Sequence, residues 1–170
     1  IKIKEEFEDR RVLANSYHET ANAYYSLGDY SLAIDNSRLS LGYFKSLGNI
    51  HFGAYSRLLL CDSFAHLGMF SDIETHLKSS REIFEEFNNL FLLGKVDILF
   101  GIKYFNIGEF DRAITLYEEG IEKMQLDESR KYVFIHSIEL IQILIYVKRN
   151  DIALKYINRC RVLVKKTTDL

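Results

Sequence analysis

Along this chain apolar and small side chains recur every three or four residues, then stop at a short polar corner. One stripe holds Leu13, Tyr17, Ala21 and Tyr24, a second Leu60, Cys61, Phe64 and Leu67. A third holds Phe100, Gly101, Tyr104 and Ile107, and a fourth Ile138, Ile141, Leu144 and Ile145. That spacing marks a helix with one buried face. After each corner a further stripe begins: Ile34 and Leu41; Leu77 and Phe84; Ile114, Tyr117 and Ile121; Leu154, Ile157 and Val164. The pattern predicts an all-α chain of helices of ~16 to 20 residues, each ~25 to 30 Å long, paired into four helical hairpins.

The corners resemble one another. SLGDYSLAI at 26–34 returns as HLGMFSDIE at 66–74, NIGEFDRAI at 106–114 and YVKRNDIAL at 146–154, a period of about 40 residues, within the range of helical repeats. One column reads Leu27, Leu67, Ile107, Val147; the next Gly28, Gly68, Gly108, then Lys148. Tyr30, Phe70 and Phe110 are followed by Asn150, and Ala33, Ala113 and Ala153 bracket Ile73. Glycine just past a helix end adopts a left-handed backbone without steric cost. The aromatic plugs the corner, and the small residues let two helices approach closely. Ser31, Ser71, Asp111 and Asp151 are expected to cap the next helix, with Ser71 and Glu74 forming a capping box. Lys148 in a left-handed position would cost about 1 kcal/mol, so the last corner closes differently or belongs to a divergent terminal repeat.

Repeats over 9–48, 49–88, 89–128 and 129–168 make a single domain of 1–170. IKIKEEF at 1–7 matches REIFEEF at 81–87, so residues 1–8 are expected to end a preceding helix, the whole being excised from a longer protein.

Composition narrows the class. A hydrophobic fraction of 48% over 170 residues excludes a disordered chain, and the absence of proline permits long helices. A net charge of -2 gives no reason to expect direct nucleic-acid contact. No apolar run approaches the ~20 residues of a membrane span; IELIQILIYV at 138–147 is broken by Glu139 and Gln142. The two cysteines, Cys61 and Cys160, lie on apolar faces, which points to buried inert thiols and a reducing cytoplasm.

These residues carry a family resemblance. A small residue in the first helix (Ala21, Cys61, Gly101), an aromatic three on (Tyr24, Phe64, Tyr104), then Gly, an aromatic and Ala is similar to the tetratricopeptide repeat. A second small residue follows at Ser40, Ser80, Gly120 and Cys160. The longer repeat and the missing proline resemble the long variant of polarity adaptors, MalT-type regulators and peptide-sensing regulators of the Rap and PlcR kind. The resemblance implies a right-handed α-α superhelix, a TPR-like solenoid, whose first helices line a concave groove. The groove residues it implies are Asn15, His18, Asn22 and Tyr25, then Tyr55, Leu58, Asp62 and His66. Lys95, Ile98, Ile102, Phe105 and Asn106 follow, then Ile135, Ile138, Gln142, Ile145 and Tyr146.

Catalytic chemistry is sparse. None of the 5 histidines pairs with a cysteine or another histidine at metal-ligand spacing. His136 reads as a helix residue within an apolar stripe. The run Glu5, Glu6, Glu8 and Asp9 reads as a solvated face. Asp62 and His66, one helical turn apart, are the best candidates for an enzyme site. The sequence therefore predicts a non-enzymatic scaffold for a protein or peptide ligand, without metal or cofactor, as the sensing or interaction region of a bacterial regulator. The alternative is self-association, a homodimer formed through exposed repeat ends.

Overall fold

The computed structural model describes residues 2–127 and 129–168. The described residues form eight helices and no strand: α1 (Lys2–Leu27), α2 (Tyr30–Ser46), α3 (Ile50–His66), α4 (Ile73–Glu86), α5 (Leu90–Asn106), α6 (Phe110–Leu126), α7 (Arg130–Tyr146) and α8 (Asn150–Thr168). The chain divides into two compact units, Ile1–Phe87 and Asn88–Leu170. In the first, α1 packs on α2, α2 on α3, α3 on α4, and α1 also touches α3. In the second, α5 packs on α6, α6 on α7 and α7 on α8. Residues 2–8 do not end a separate helix. They are the first turns of α1, which runs 26 residues without a break; nothing in EEFEDRRVL supplies the glycine or cap that stops the other helices. Ile1 lies outside the described residues.

The corners share one geometry. Gly28, Gly48, Gly68 and Gly108 have φ of 81°, 66°, 71° and 84°. Two non-glycine residues do the same job: Asn88 at φ 49° and Lys148 at φ 62°. Lys148 therefore closes its corner as the glycines do. The residue after each left-handed glycine and after Lys148 donates its N–H five residues back, Asp29 to Tyr24 O at 2.9 Å, Glu109 to Tyr104 O at 2.9 Å and Arg149 to Leu144 O at 2.8 Å. This ties off a helix end that would otherwise leave carbonyls unsatisfied.

That same residue opens the next helix. Asp29 Oδ1 accepts from Leu32 N at 3.2 Å, Asn49 Oδ1 from Phe52 N at 3.3 Å and Asn89 Oδ1 from Leu92 N at 3.0 Å. The caps thus sit two residues before the Ser31 and Asp111 column, which lies inside the first turn; Asp111 instead pairs with Arg149. The Ser71–Glu74 capping box is also absent. α4 starts late, at Ile73, after Asp72, whose side chain makes no capping bond, and Glu74 pairs with Lys78 at 2.7 Å.

Small residues set the helix spacing. In the first unit Ala21, Ala33 and Cys61 are fully buried beside Phe44, Phe64 and Leu60. In the second, glycines carry this further. A Cβ on Gly120 would lie 2.8 Å from Gly94 O, and one on Gly101 would lie 2.7 Å from Tyr117 Cδ2. Over this close crossing gathers a core of Ile98, Ile114, Tyr117, Ile121, Met124, Val133, Leu140 and Leu144. Asp97 is fully buried in the same unit and pairs with Lys123, since a buried carboxylate needs a cation beside it.

Two substitutions test the packing and the corners separately. Gly120→Ala forces α5 and α6 apart and should destabilise by about 1–3 kcal/mol. Lys148→Gly removes the cost of a left-handed lysine and should stabilise by up to about 1 kcal/mol. Urea unfolding midpoints at constant m-value measure both.

Candidate functional site

On α1, residues 15, 18, 22 and 25 are spaced by three or four and fall on one face of the helix. That face runs beside α3. Near its start His18 Nδ1 lies 3.1 Å from Ser56 Oγ. Towards its end the Tyr25 hydroxyl hydrogen-bonds His66 Nε2 at 3.0 Å. Tyr30 stacks flat on the His66 ring, centroids 4.3 Å apart, and meets Tyr25 edge-on at 5.6 Å. The structure therefore brings His18, Tyr25 and His66 onto one strip between α1 and α3. Asn22 and Asp62 are half-buried, and Asn15 is exposed. Tyr55 is exposed on α3, its ring edge-on to Phe84 at 5.8 Å. Leu58 is buried and offers nothing to a surface.

The second unit repeats the aromatic cluster. Phe105, Phe110 and Tyr146 lie 5.5, 5.6 and 5.8 Å from one another. They stand 80 residues after Tyr25, Tyr30 and His66 (25 and 105, 30 and 110, 66 and 146). Lys95 is held over the rings of Phe91 and Tyr132, at 6.0 and 5.8 Å, a contact that favours a cation on an aromatic face. Ile102 and Phe105 are partly buried against the core. Asn106 is exposed, its amide donating to Ile102 O at 2.8 Å.

Ile98 corrects the sequence expectation. It is 3% exposed and fills the space over Gly120, whose absent side chain makes room for it, so it belongs to the core and not to a binding surface. On α7 the positions run the other way. Ile135, Ile138, Ile145 and Tyr146 are exposed, Tyr146 by 68%. Beside them an open apolar cavity of about 710 Å³ is walled by residues that include Phe134, Ile138, Ile141, Cys160 and Val162.

Electrostatics separate inert groups from poised ones. Burial pushes the Cys61 thiol up to about 12, with Asp62 adding to it, so this thiol is no nucleophile at neutral pH. Burial also raises Cys160. Both cysteines are buried and free. Burial lowers His18 below the ordinary histidine range, opposed by Glu19. His76 is lowered by burial first and then by Arg57, with Asp72 opposing. His66, the histidine of the enzyme candidate pair, is occupied by Tyr25 and Tyr30. His136 hydrogen-bonds Glu139 at 2.9 Å. The described residues hold no cluster of three or more metal-ligating groups, and none of their helices is long and apolar enough to cross a membrane.

Reasoning from the sequence missed Ser56 as the partner of His18, and Asp97 with Lys123. It assigned Tyr30 and Phe110 to plug corners but not to join the site. The signal was present: with the 40-residue columns aligned, Tyr25, Tyr30 and His66 stand above Phe105, Phe110 and Tyr146 in the same aromatic-rich positions.

No family model matches the sequence, and no curated protein matches it. Solved structures do. A Rap protein in complex with competence and sporulation factor is 13% identical, with a TM-score of 0.83 over 96% of this chain and 45% of that one. The fold is that of the helical-repeat proteins. Apo RapI is 15% identical, with a TM-score of 0.77 over 92% of this chain and 57% of its own. Aspartyl phosphate phosphatase F from Bacillus subtilis is 16% identical, with a TM-score of 0.79 over 92% and 41%. The chain thus spans 41 to 57% of the length of these proteins.

The lowered histidines give stability a pH dependence of definite sign. In the unfolded chain His18 and His76 take up protons as pH falls through about 6.5, while the folded chain resists. Stability should fall as pH drops from 7 towards 5. Urea midpoints across that range should decline less steeply in the His18→Gln, His76→Gln double variant.

Proposed function

We propose that the chain is a non-enzymatic scaffold that binds a protein or peptide ligand along its first helices: α1 and α3 in one unit, α5 and α7 in the other. The observation that carries this is the recurrence of one surface in both units. An aromatic cluster sits at the end of each strip, Tyr25–Tyr30–His66 and Phe105–Phe110–Tyr146, and amide or cationic groups stand further back, Asn15 and Asn22 or Lys95. Aromatic anchors beside adaptable polar groups suit recognition of an extended chain, whose backbone needs paired donors and acceptors and whose apolar side chains need a socket. A Rap protein of the same fold was solved with competence and sporulation factor, in keeping with a regulator that senses a ligand. The share of those proteins that this chain spans favours the interaction region of a longer bacterial regulator of the long-repeat type. Two free, buried thiols suit a cytoplasmic setting.

A peptide array probed with wild type, Asn22→Ala and Phe105→Ala tests the reading. Phe105→Ala should lose about tenfold or more in affinity, as aromatic anchors do. Asn22→Ala should lose several-fold, about the worth of one hydrogen bond. Circular dichroism shows whether the variants are folded. Unchanged binding in both removes the site, and hydrolysis of an aspartyl phosphate by wild type would overturn the non-enzymatic reading. A second reading, self-association, is favoured by the exposed apolar cavity on α7 and α8. Light scattering across a concentration series should then show a dimer that Ile138→Glu dissolves.

A further inference from the structure

The hydrogen bonds beneath His18 settle which of its nitrogens carries the proton. Ser40 Oγ donates to the carbonyl of Ala14 at 2.8 Å. Its one hydrogen is then spent, and its 2.8 Å contact with Ser56 Oγ must be donated by Ser56. That spends the hydrogen of Ser56 in turn; its other acceptor, Phe52 O, lies farther off at 3.4 Å. Ser56 Oγ meets His18 Nδ1 at 3.1 Å with nothing left to donate, so the bond must come from the ring as Nδ1–H. Running the chain the other way would leave Ser40 Oγ facing the Ala14 carbonyl at 2.8 Å with no hydrogen between two oxygens. Ser40 and Ser56 are fully buried, so no water can reverse the order. A neutral imidazole with a proton on Nδ1 has a bare lone pair on Nε2. His18 is only partly buried, and Nε2 is not among the buried side-chain atoms lacking a partner. It makes no hydrogen bond within the described chain.

We infer that His18 is a specificity-determining residue whose Nε2 accepts a hydrogen bond from a donor on the ligand, the backbone N–H of a bound peptide strand. The inference rests on the proposed peptide-binding face and says what that face asks of its ligand at one point. The serine relay fixes the polarity of the contact before any ligand arrives. Burial disfavours the charged ring, against the opposing pull of Glu19 on its own helix. α2 and α3 turn serines towards it. Protonation would leave the Ser56 bond intact and turn Nε2 from acceptor into donor, so acid reverses the preference without moving the backbone.

Two measurements decide the matter. The first needs no ligand: ¹⁵N–¹H correlation of the imidazole rings, with His18 assigned by its loss in His18→Gln. At pH 7.5 His18 should show a pyridine-type Nε2, and Ser56→Ala should release it into a tautomer mixture. An Nε2–H form in wild type overturns the inference whatever the protein binds. The second is the peptide array, read with His18→Asn and His18→Gln. Asparagine places its amide where Nδ1 lies and keeps the Ser56 bond but not the outer acceptor; glutamine reaches the Nε2 position. Glutamine should bind within about threefold of wild type and asparagine should lose about tenfold. Equal binding by the two overturns the inference and leaves the binding face standing. An array on which wild type captures no peptide overturns both, while the spectrum still reports the tautomer.

Discussion

Everything in this chain depends on reversing direction within two residues. Helices of 17 residues, such as α2, α3, α5, α6 and α7, cannot lie side by side unless the link between them is very short and still satisfies the backbone at both ends. A single left-handed residue does this. It turns the last carbonyls inward to meet the next two N–H groups, and the residue after it is already the cap of the following helix. Because one residue serves both helices, by its N–H behind and its side chain ahead, the length of each hairpin is set almost without slack. The face that α1 shows to α3, or α5 to α7, is then the same at every repeat.

Close packing follows from that constraint. With the corner fixed, the distance between partner helices depends on the smallest residue at their crossing. Where glycine meets glycine, at Gly94 and Gly120, backbone nearly touches backbone, and a residue from the outer face, Ile98, drops into the space. Where serine stands at the matching position, as at Ser40, a hydroxyl fills it and begins the relay to Ser56 and His18. One column thus builds a dry core in one unit and a polar relay to a histidine in the other. The difference between the two faces arises from packing beneath the surface, not from the surface residues alone.

The fold was largely legible because its signal is periodic. Leu27, Gly28 and Tyr30 have counterparts at Leu67, Gly68 and Phe70 and at Ile107, Gly108 and Phe110, and no other architecture needs that punctuation. The finer half-period was also there, since Leu47 and Gly48 and then Phe87 and Asn88 repeat the same corner between hairpins. The caps were misplaced because Asp29, Asn49, Asn89 and Glu109 look like turn residues, and only the geometry shows that one residue closes one helix and opens another. The site was less legible. Whether Ile98 faces solvent or Gly120 depends on helix separation, which no spacing along a single strand of letters encodes. Nor does periodicity mark a serine relay between α1, α2 and α3.

One corner departs from the rest. α4 begins at Ile73, where its counterparts begin at the position of Phe70, so the chain crosses from Met69 to Asp72 without the first helical turn and without a side-chain cap. That stretch lacks the side-chain cap by which Asp29 and Asn49 hold the other two helix starts of its unit. It is the natural point for a protease to cut under native conditions, and for a loop to be inserted or a label attached without disturbing the strips on α1 and α3.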